Sequence, residues 1–189
     1  MNDTTFVSLR NHFLIAMPHM ADPNFAHTLT YICEHSADGA MGIVINRPSG
    51  LDLADIIEHL DSEASGPVHN SQQAVYAGGP VQTDRGFVLH SPSHRYKSTL
   101  DIGHVFLSTS QDVLFDIAAG QGPEQSLIAL GYAGWDAGQL EAEILDNAWL
   151  TCPAELDILF ALEADARLAA AATRMGVDLG LLSSQAGHA

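Results

Sequence analysis

The chain has 189 residues, 47% hydrophobic and 16% charged, and its 23 acidic residues against 7 basic ones give a formal net charge of −16. This length suits one domain with one sizeable core, and the composition excludes a disordered chain, which would be poorer in apolar residues and richer in charge. Direct nucleic-acid binding is argued against as well: such binders use roughly 6–10 phosphate contacts, so nearly all of Arg10, Arg47, Arg85, Arg95, Lys97, Arg167 and Arg174 would have to share one face.

Residues 13–17 (FLIAM) are an apolar run between His12 and Pro18, the mark of a fully buried strand. Asp22-Pro23 breaks the chain. The β-branched and aromatic run 28–34 (TLTYICE) and the run 42–46 (GIVIN), on either side of the turn-forming SADGA, predict a β-hairpin. Pro48 is expected to end its second strand, having no ladder donor and restricting the residue before it. Leu53, Ile56, Ile57 and Leu60 then recur at helical spacing among Asp52, Asp55, Glu58 and His59, which predicts a short amphipathic helix with acids near its start. Residues 61–73, polar and carrying Gly66-Pro67, are expected to form a mobile loop.

Strands are predicted at 74–77 and 86–91, flanking a GGPVQTD turn, and at 105–107. Ser108-Thr109-Ser110 offers an N-cap to a helix over QDVLFDIAAG, with Val113, Leu114, Ile117 and Ala118 on one face and Gly120 at its end. Residues 127–130 predict another strand, GYAGWDAG a glycine-rich turn, and 139–146 a short helix with Leu140 and Ile144 inward. Trp149-Leu150 leads to Pro153, the alanine-rich 164–175 forms a helix stopped by Gly176, and 186–189 are expected to fray.

Strand pairs interleaved with single helices lack the regular βαβα order of a doubly wound sheet, so the class is α+β. Three stretches, FLIAMPHMADPNFAHTLTYICEHSADGAMGIVINRP (13–48), GGPVQTDRGFVLH (78–90) and LGYAGWDAGQLEAEILDNAWLTCP (130–153), occur in an order that resembles the AlgH/YqgE family of bacterial proteins. That family is mostly uncharacterised, and its usual label is transcriptional regulator. The resemblance implies a single domain over residues 1–189, its mixed or antiparallel sheet bent and split into a partial barrel with helices packed outside.

Candidate chemistry is sparse. His35, beside Glu34 and near Asp38, has the chemistry of a general base, but adjacent strand residues point to opposite faces, so Glu34 does not orient it. Asn46-Arg47-Pro48 and Asp84-Arg85-Gly86 each hold an arginine in a turn, where a guanidinium can grip a carboxylate or phosphate; a structural ion pair with one of the many acids is the plainer reading. Gly78-Gly79-Pro80 and the Gly131 to Gly134 segment mark unusual backbone or close approach, but neither is GxxxxGK[ST] or GxGxxG, and no cofactor is expected. Trp135 and Trp149 with Tyr132 form either an aromatic lip or the plug of a core edge.

The ten histidines contain no HExxH, Pro92 lies between His90 and His94, and no metal site is expected. No nucleophile elbow or paired-carboxylate signature appears, so no catalytic residue is assigned. Cys33 and Cys152, without CxxC spacing, are expected to be unpaired buried hydrophobes. No basic leader precedes a long apolar run and no run reaches the ~20 residues of a spanning helix, so a cytoplasmic chain without membrane contact is expected.

The resulting expectation is a non-enzymatic binding or regulatory protein that touches a protein partner or a small anionic ligand and affects transcription only indirectly. The expected contacts are Arg47, Arg85, His35, Asn46, Gly78, Gly79, Gly134 and Trp135. The alternative is an enzyme for a small anionic substrate, with His35 as base and Arg47 or Arg85 as clamp.

Overall fold

The computed structural model describes residues 5–185, so the tail expected to fray lies outside the described residues. Its strands are β1 (His12–Ala16), β2 (Leu29–Ser36), β3 (Gly39–Val44), β4 (Pro48–Asp52), β5 (Ala74–Ala77), β6 (Val81–His90), β7 (Thr99–Asp101), β8 (Phe106–Ser108), β9 (Ser126–Asp136) and β10 (Trp149–Pro153). The helices are α1 (Leu53–Leu60), α2 (Asp112–Ala118), α3 (Gln139–Leu145), α4 (Ala164–Arg174) and α5 (Leu179–Gln185), with one π-helical turn at Asp157–Ala161. The class is α+β, and the chain forms two compact units: a central unit of Arg47–Tyr132, and a terminal unit of the residues before and after it.

The terminal unit holds an antiparallel run in the order β10-β1-β2-β3-β9, with β9 entering through its second half. After His12, β1 is apolar and buried at every position because both of its faces are covered. Leu14 and Ala16 join Ile32, Trp135, Leu140 and Trp149 in one core, and α4 packs against the strand too. Arg167 of α4 is buried; its Nε donates to the Leu162 carbonyl at 3.1 Å and its Nη1 to that of Ile45 just past β3. The guanidinium thus satisfies two backbone acceptors that lie outside the strands.

The central unit has the order β4-β5-β9-β6-β8-β7; β5 and β9 run parallel and the other pairs antiparallel. α1 begins in a reciprocal cap, the Asp55 N–H donating to Asp52 Oδ1 at 3.1 Å and the Asp52 N–H to Asp55 Oδ2 at 2.9 Å. Leu53 and Ile57 of α1 pack with Val113, Leu114 and Ile117 of α2 over Val75, Val88 and Ile128 of the sheet. The second half of the 61–73 segment is tied down, the His69 N–H donating to the Ala118 carbonyl at 2.8 Å and the Leu53 and Ala54 N–H groups to the Gln73 and Ser71 carbonyls.

Several local expectations are corrected. Pro48 ends no strand; it opens β4, where a missing donor costs nothing at a first, outer position. The VQTD of GGPVQTD belongs to β6, entering it at Val81 opposite Tyr132, and GYAGWD is the second half of β9, where residues 133–136 pair with β3. α2 lacks a serine cap: Gln111 is the N-cap residue without a side-chain bond, and Ser110 Oγ donates to Asp112 Oδ1. β7, the π-helical turn and α5 carried no local signal.

Candidate functional site

The most distinctive geometry in the central unit comes from a mismatch in strand pairing. Val81 of β6 faces Tyr132 of β9, while Gly86 faces Leu130, so five steps along β6 answer two along β9. Residues 82–85 are therefore displaced from the ladder as a bulge. Gln82 takes φ 48°, a left-handed conformation uncommon for a non-glycine residue. Opposite it, Gly131 has φ 77°, and a Cβ there would stand 2.4 Å from the Gly79 carbonyl oxygen and 3.1 Å from that of Val81. Only glycine fits that approach.

The bulge carries Gln82, Asp84 and Arg85 to the rim of a cavity of about 680 Å³. Its floor is apolar: Ile56 and Leu60 of α1, Leu114 of α2, Val88 of β6, and Ile128 and Leu130 of β9. The rim adds Asp55 and His59 of α1 and residues 109–111 before α2. Arg85 is exposed; its Nη1 reaches Gln82 Oε1 at 3.3 Å and its guanidinium lies 5.4 Å from the centre of the Phe87 ring. The volume and the apolar floor with a few convergent polar groups are those of a binding site for a drug-sized body or a few side chains.

Of the expected contacts in this unit, Arg85 alone lines the cavity. Gly78 donates its N–H to the Leu130 carbonyl at 2.8 Å, Gly79 supplies the carbonyl packed on Gly131, and Arg47 accepts the Ala77 N–H at 2.8 Å on its own carbonyl. The other expected contacts, His35, Asn46, Gly134 and Trp135, belong to the terminal unit, where all four have structural partners. Asn46 Oδ1 accepts from the Leu29 N–H and its Nδ2 donates to the His27 carbonyl, both at 2.9 Å, which fastens the entry of β2. Gly134 lies opposite Met41 in the β3–β9 ladder. Trp135 is 5% exposed and Trp149 2%; both plug the core beside Phe25 rather than form a lip.

His35 is 9% exposed. Its Nδ1 lies 2.9 Å from the Leu9 N–H and its Nε2 2.7 Å from Glu141 Oε1. An Nδ1 that accepts from a backbone N–H leaves the proton on Nε2, which donates to the carboxylate. Both ring nitrogens are thus engaged, and neither is open to take a proton from a substrate. Burial alone would raise the Glu141 carboxyl, but the hydrogen bonds from its own backbone N–H and from His35 outweigh that and hold it below the usual carboxylate range.

Among the described residues no group of three or more His, Cys, Asp or Glu is placed to hold a metal ion, and no helix is long and apolar enough to cross a membrane. His90 is wholly buried, its Nδ1 2.9 Å from the Ser91 carbonyl and its Nε2 2.8 Å from Ser108 Oγ, while His94 stacks on Tyr96. Cys33 and Cys152 are free and buried, and burial, with the nearby Glu34 charge, pushes the Cys33 thiol up.

The cavity-lining residues missed by sequence reasoning had one usable signal. Leu53, Ile56, Ile57 and Leu60 form one apolar stripe: Leu53 and Ile57 are buried in the core, whereas Ile56 and Leu60 are partly buried at its margin and floor the cavity.

A UPF0301 protein of Pseudomonas aeruginosa strain UCBPP-PA14 is 64% identical over 189 residues, the whole of both chains. The UPF0301 protein AlgH of strain PAO1 is 63% identical, again over the full length of both. The solution structure of AlgH from Pseudomonas aeruginosa superposes with a TM-score of 0.82 at 63% identity, covering all of both chains. A crystal structure of a Corynebacterium diphtheriae protein shares the fold at a TM-score of 0.70 and 20% identity, over 94% of this chain and 93% of that one. The family model described as AlgH-like matches residues 13–180, and with relatives this similar over their full length the chain belongs to the AlgH-like family.

Proposed function

We propose that this chain is a non-enzymatic, cytoplasmic binding and regulatory protein. It contacts a protein partner, or a small ligand whose single anionic group would meet Arg85, through the groove of the central unit, and any effect on transcription is indirect. One observation carries the reading: a cavity of about 680 Å³ has an apolar floor and a polar rim, part of which, Gln82, Asp84 and Arg85, a register mismatch between β6 and β9 has displaced from the ladder. Covering such a floor removes apolar surface from water at roughly 25 cal/mol per Å², and the rim groups supply orientation. A net charge of −16 sets the field against polyanions, whereas a single anionic group close to Arg85 experiences the local guanidinium.

Titrating anilinonaphthalene sulfonate, an apolar body with one negative charge, into the ¹⁵N-labelled protein tests this. Shift changes are expected to cluster at Ile56, Leu60, Gln82, Arg85 and Leu114, to vanish in Ile56→Gln and to weaken in Arg85→Gln. Shifts scattered elsewhere, or undiminished binding by Ile56→Gln, overturn the groove as the site. Tight binding of duplex DNA at near-physiological salt would overturn the indirect role.

A further inference from the structure

We infer that the groove's natural occupant is an amphipathic helical segment of a partner protein, its apolar stripe on the floor and its flanks basic. This rests on the groove being the binding site and names its partner. The floor is walled by α1 on one side and approached by α2 on another, and the partly buried Ile56 and Leu60, one helical turn apart, continue outward to Leu51, which is 42% exposed. A row of aliphatic positions beside helices is the seat for anchors spaced i, i+3 or i+4, and i+7 on an incoming helix.

The charges select the flanks. Asp55 and Asp84 stand on the rim with Arg85 and His59 beside them, and Asp52 and Glu58 sit on or beside the same helix as Asp55. A small monoanion held by Arg85 would also lie against the adjacent Asp84. A peptide can place lysines or arginines toward Asp55 and Asp84 and a single acid toward Arg85, so it matches the alternating rim. The field of a chain at −16 speeds the approach of a basic segment and opposes a second copy of the chain, which carries the same charge. An added β-strand suits the surface less well: β4, whose Leu51 borders the groove, is five residues long, opens on Pro48 and is broken by a register shift between Pro48 and Leu51.

Three 14-residue helical probe peptides distinguish the possibilities: a Leu/Lys amphipath, a Leu/Glu amphipath with the same apolar stripe, and a Ser/Lys peptide with the charge and no stripe. Each is titrated into the full ¹⁵N-labelled chain at about 150 mM salt, where surface charges are screened within about 8 Å. The Leu/Lys peptide is expected to shift Ile56, Leu60, Leu114 and Leu130, the Leu/Glu peptide to bind at least about tenfold more weakly, and the Ser/Lys peptide to leave those signals in place. Asp84→Asn, and Asp55→Asn with Asp84→Asn, are expected to weaken the Leu/Lys peptide by about threefold to tenfold; Asp84→Asn melts like the parent, and the double variant, which keeps an amide oxygen in the α1 cap but loses its charge, melts slightly lower. Equal affinity for the Leu/Glu peptide, scattered shifts, or no loss in either variant overturns the inference. If anilinonaphthalene sulfonate maps to the groove and the Leu/Lys peptide does not, the partner class fails and the groove stands; if neither maps there, the groove reading itself fails.

Discussion

Replacing Glu143 by alanine removes the acceptor shared by both tryptophans of the chain. Trp135 Nε1 donates to Glu143 Oε2 at 3.0 Å and Trp149 Nε1 to the same oxygen at 2.8 Å, while Gln139 Nε2 donates to Oε1 at 3.0 Å. Hydrogen bonds to a charged group contribute about 1.5–3 kcal/mol each, so the indole pair alone accounts for about 3–6 kcal/mol. Glu143 is itself partly exposed, so water can enter where the carboxylate stood and partly satisfy the indoles, which brings the expected loss to about 2–4 kcal/mol. For a chain of this size each kcal/mol moves Tm by roughly 2–4 °C, giving an expected drop of about 5–15 °C. Thermal unfolding followed by tryptophan emission reads this directly, since the two indoles are the emitters. Glu143→Gln, which keeps a neutral acceptor, should recover about half of the loss. A Tm change below about 2 °C for the alanine variant, or a glutamine variant as unstable as alanine, would refute the assignment of Glu143 as the indole anchor.

Two further outcomes follow from the same geometry. Gly131→Ala forces a Cβ to 2.4 Å from the Gly79 carbonyl at φ 77°, so it should cost at least about 2 kcal/mol in urea unfolding and shift the Gln82 and Arg85 signals; a variant as stable as the parent would show that the bulge tolerates a side chain. Burial lowers the His90 pKa, with the Ser91 carbonyl pulling the other way and His94 adding to the depression, so the unfolded chain binds the proton more readily than the fold does. Stability from His90 is therefore fully present above the ordinary value near ~6.5 and is lost as the pH falls from there through the folded value. Wild type should lose more stability than His90→Gln between pH 7.5 and pH 5.5 in urea titrations, and parallel profiles would remove His90 as the cause.

What was legible in the sequence was local. All of FLIAM but Met17 lies in β1 and TLTYICE makes the body of β2, because an apolar or β-branched run needs no partner's register to be recognised; the stripe of α1 and the alanines of α4 declare themselves in the same way. What escaped depends on pairing at a distance. PSGLD has no strand pattern of its own and is extended because β5 lies alongside it. Gly131 looks like a turn residue, yet its positive φ accommodates a bulge on β6 while β9 continues through it. The groove was half visible, Arg85 as a loop arginine and Ile56 and Leu60 as core residues, and only the register of β6 against β9 puts them around one cavity. The roles of His35 and Asn46 escaped for the same reason: their partners Glu141, Leu9 and His27 are fixed by topology, and a histidine at a strand end looks alike whether it waits for a substrate or ties down a backbone N–H.

The make-up of β4 bears on how the molecule behaves when concentrated. β4 hydrogen-bonds to β5, its first residue has no N–H to offer, Ser49 Oγ turns inward to the Val75 carbonyl at 2.6 Å, and Gly50 at φ 88° interrupts the pleat. A foreign strand approaching that margin meets a discontinuous row of donors and acceptors, so templated stacking of one copy on another has no register to follow. Together with the mutual repulsion of strongly acidic molecules, this disfavours stacking of copies through the β4 margin.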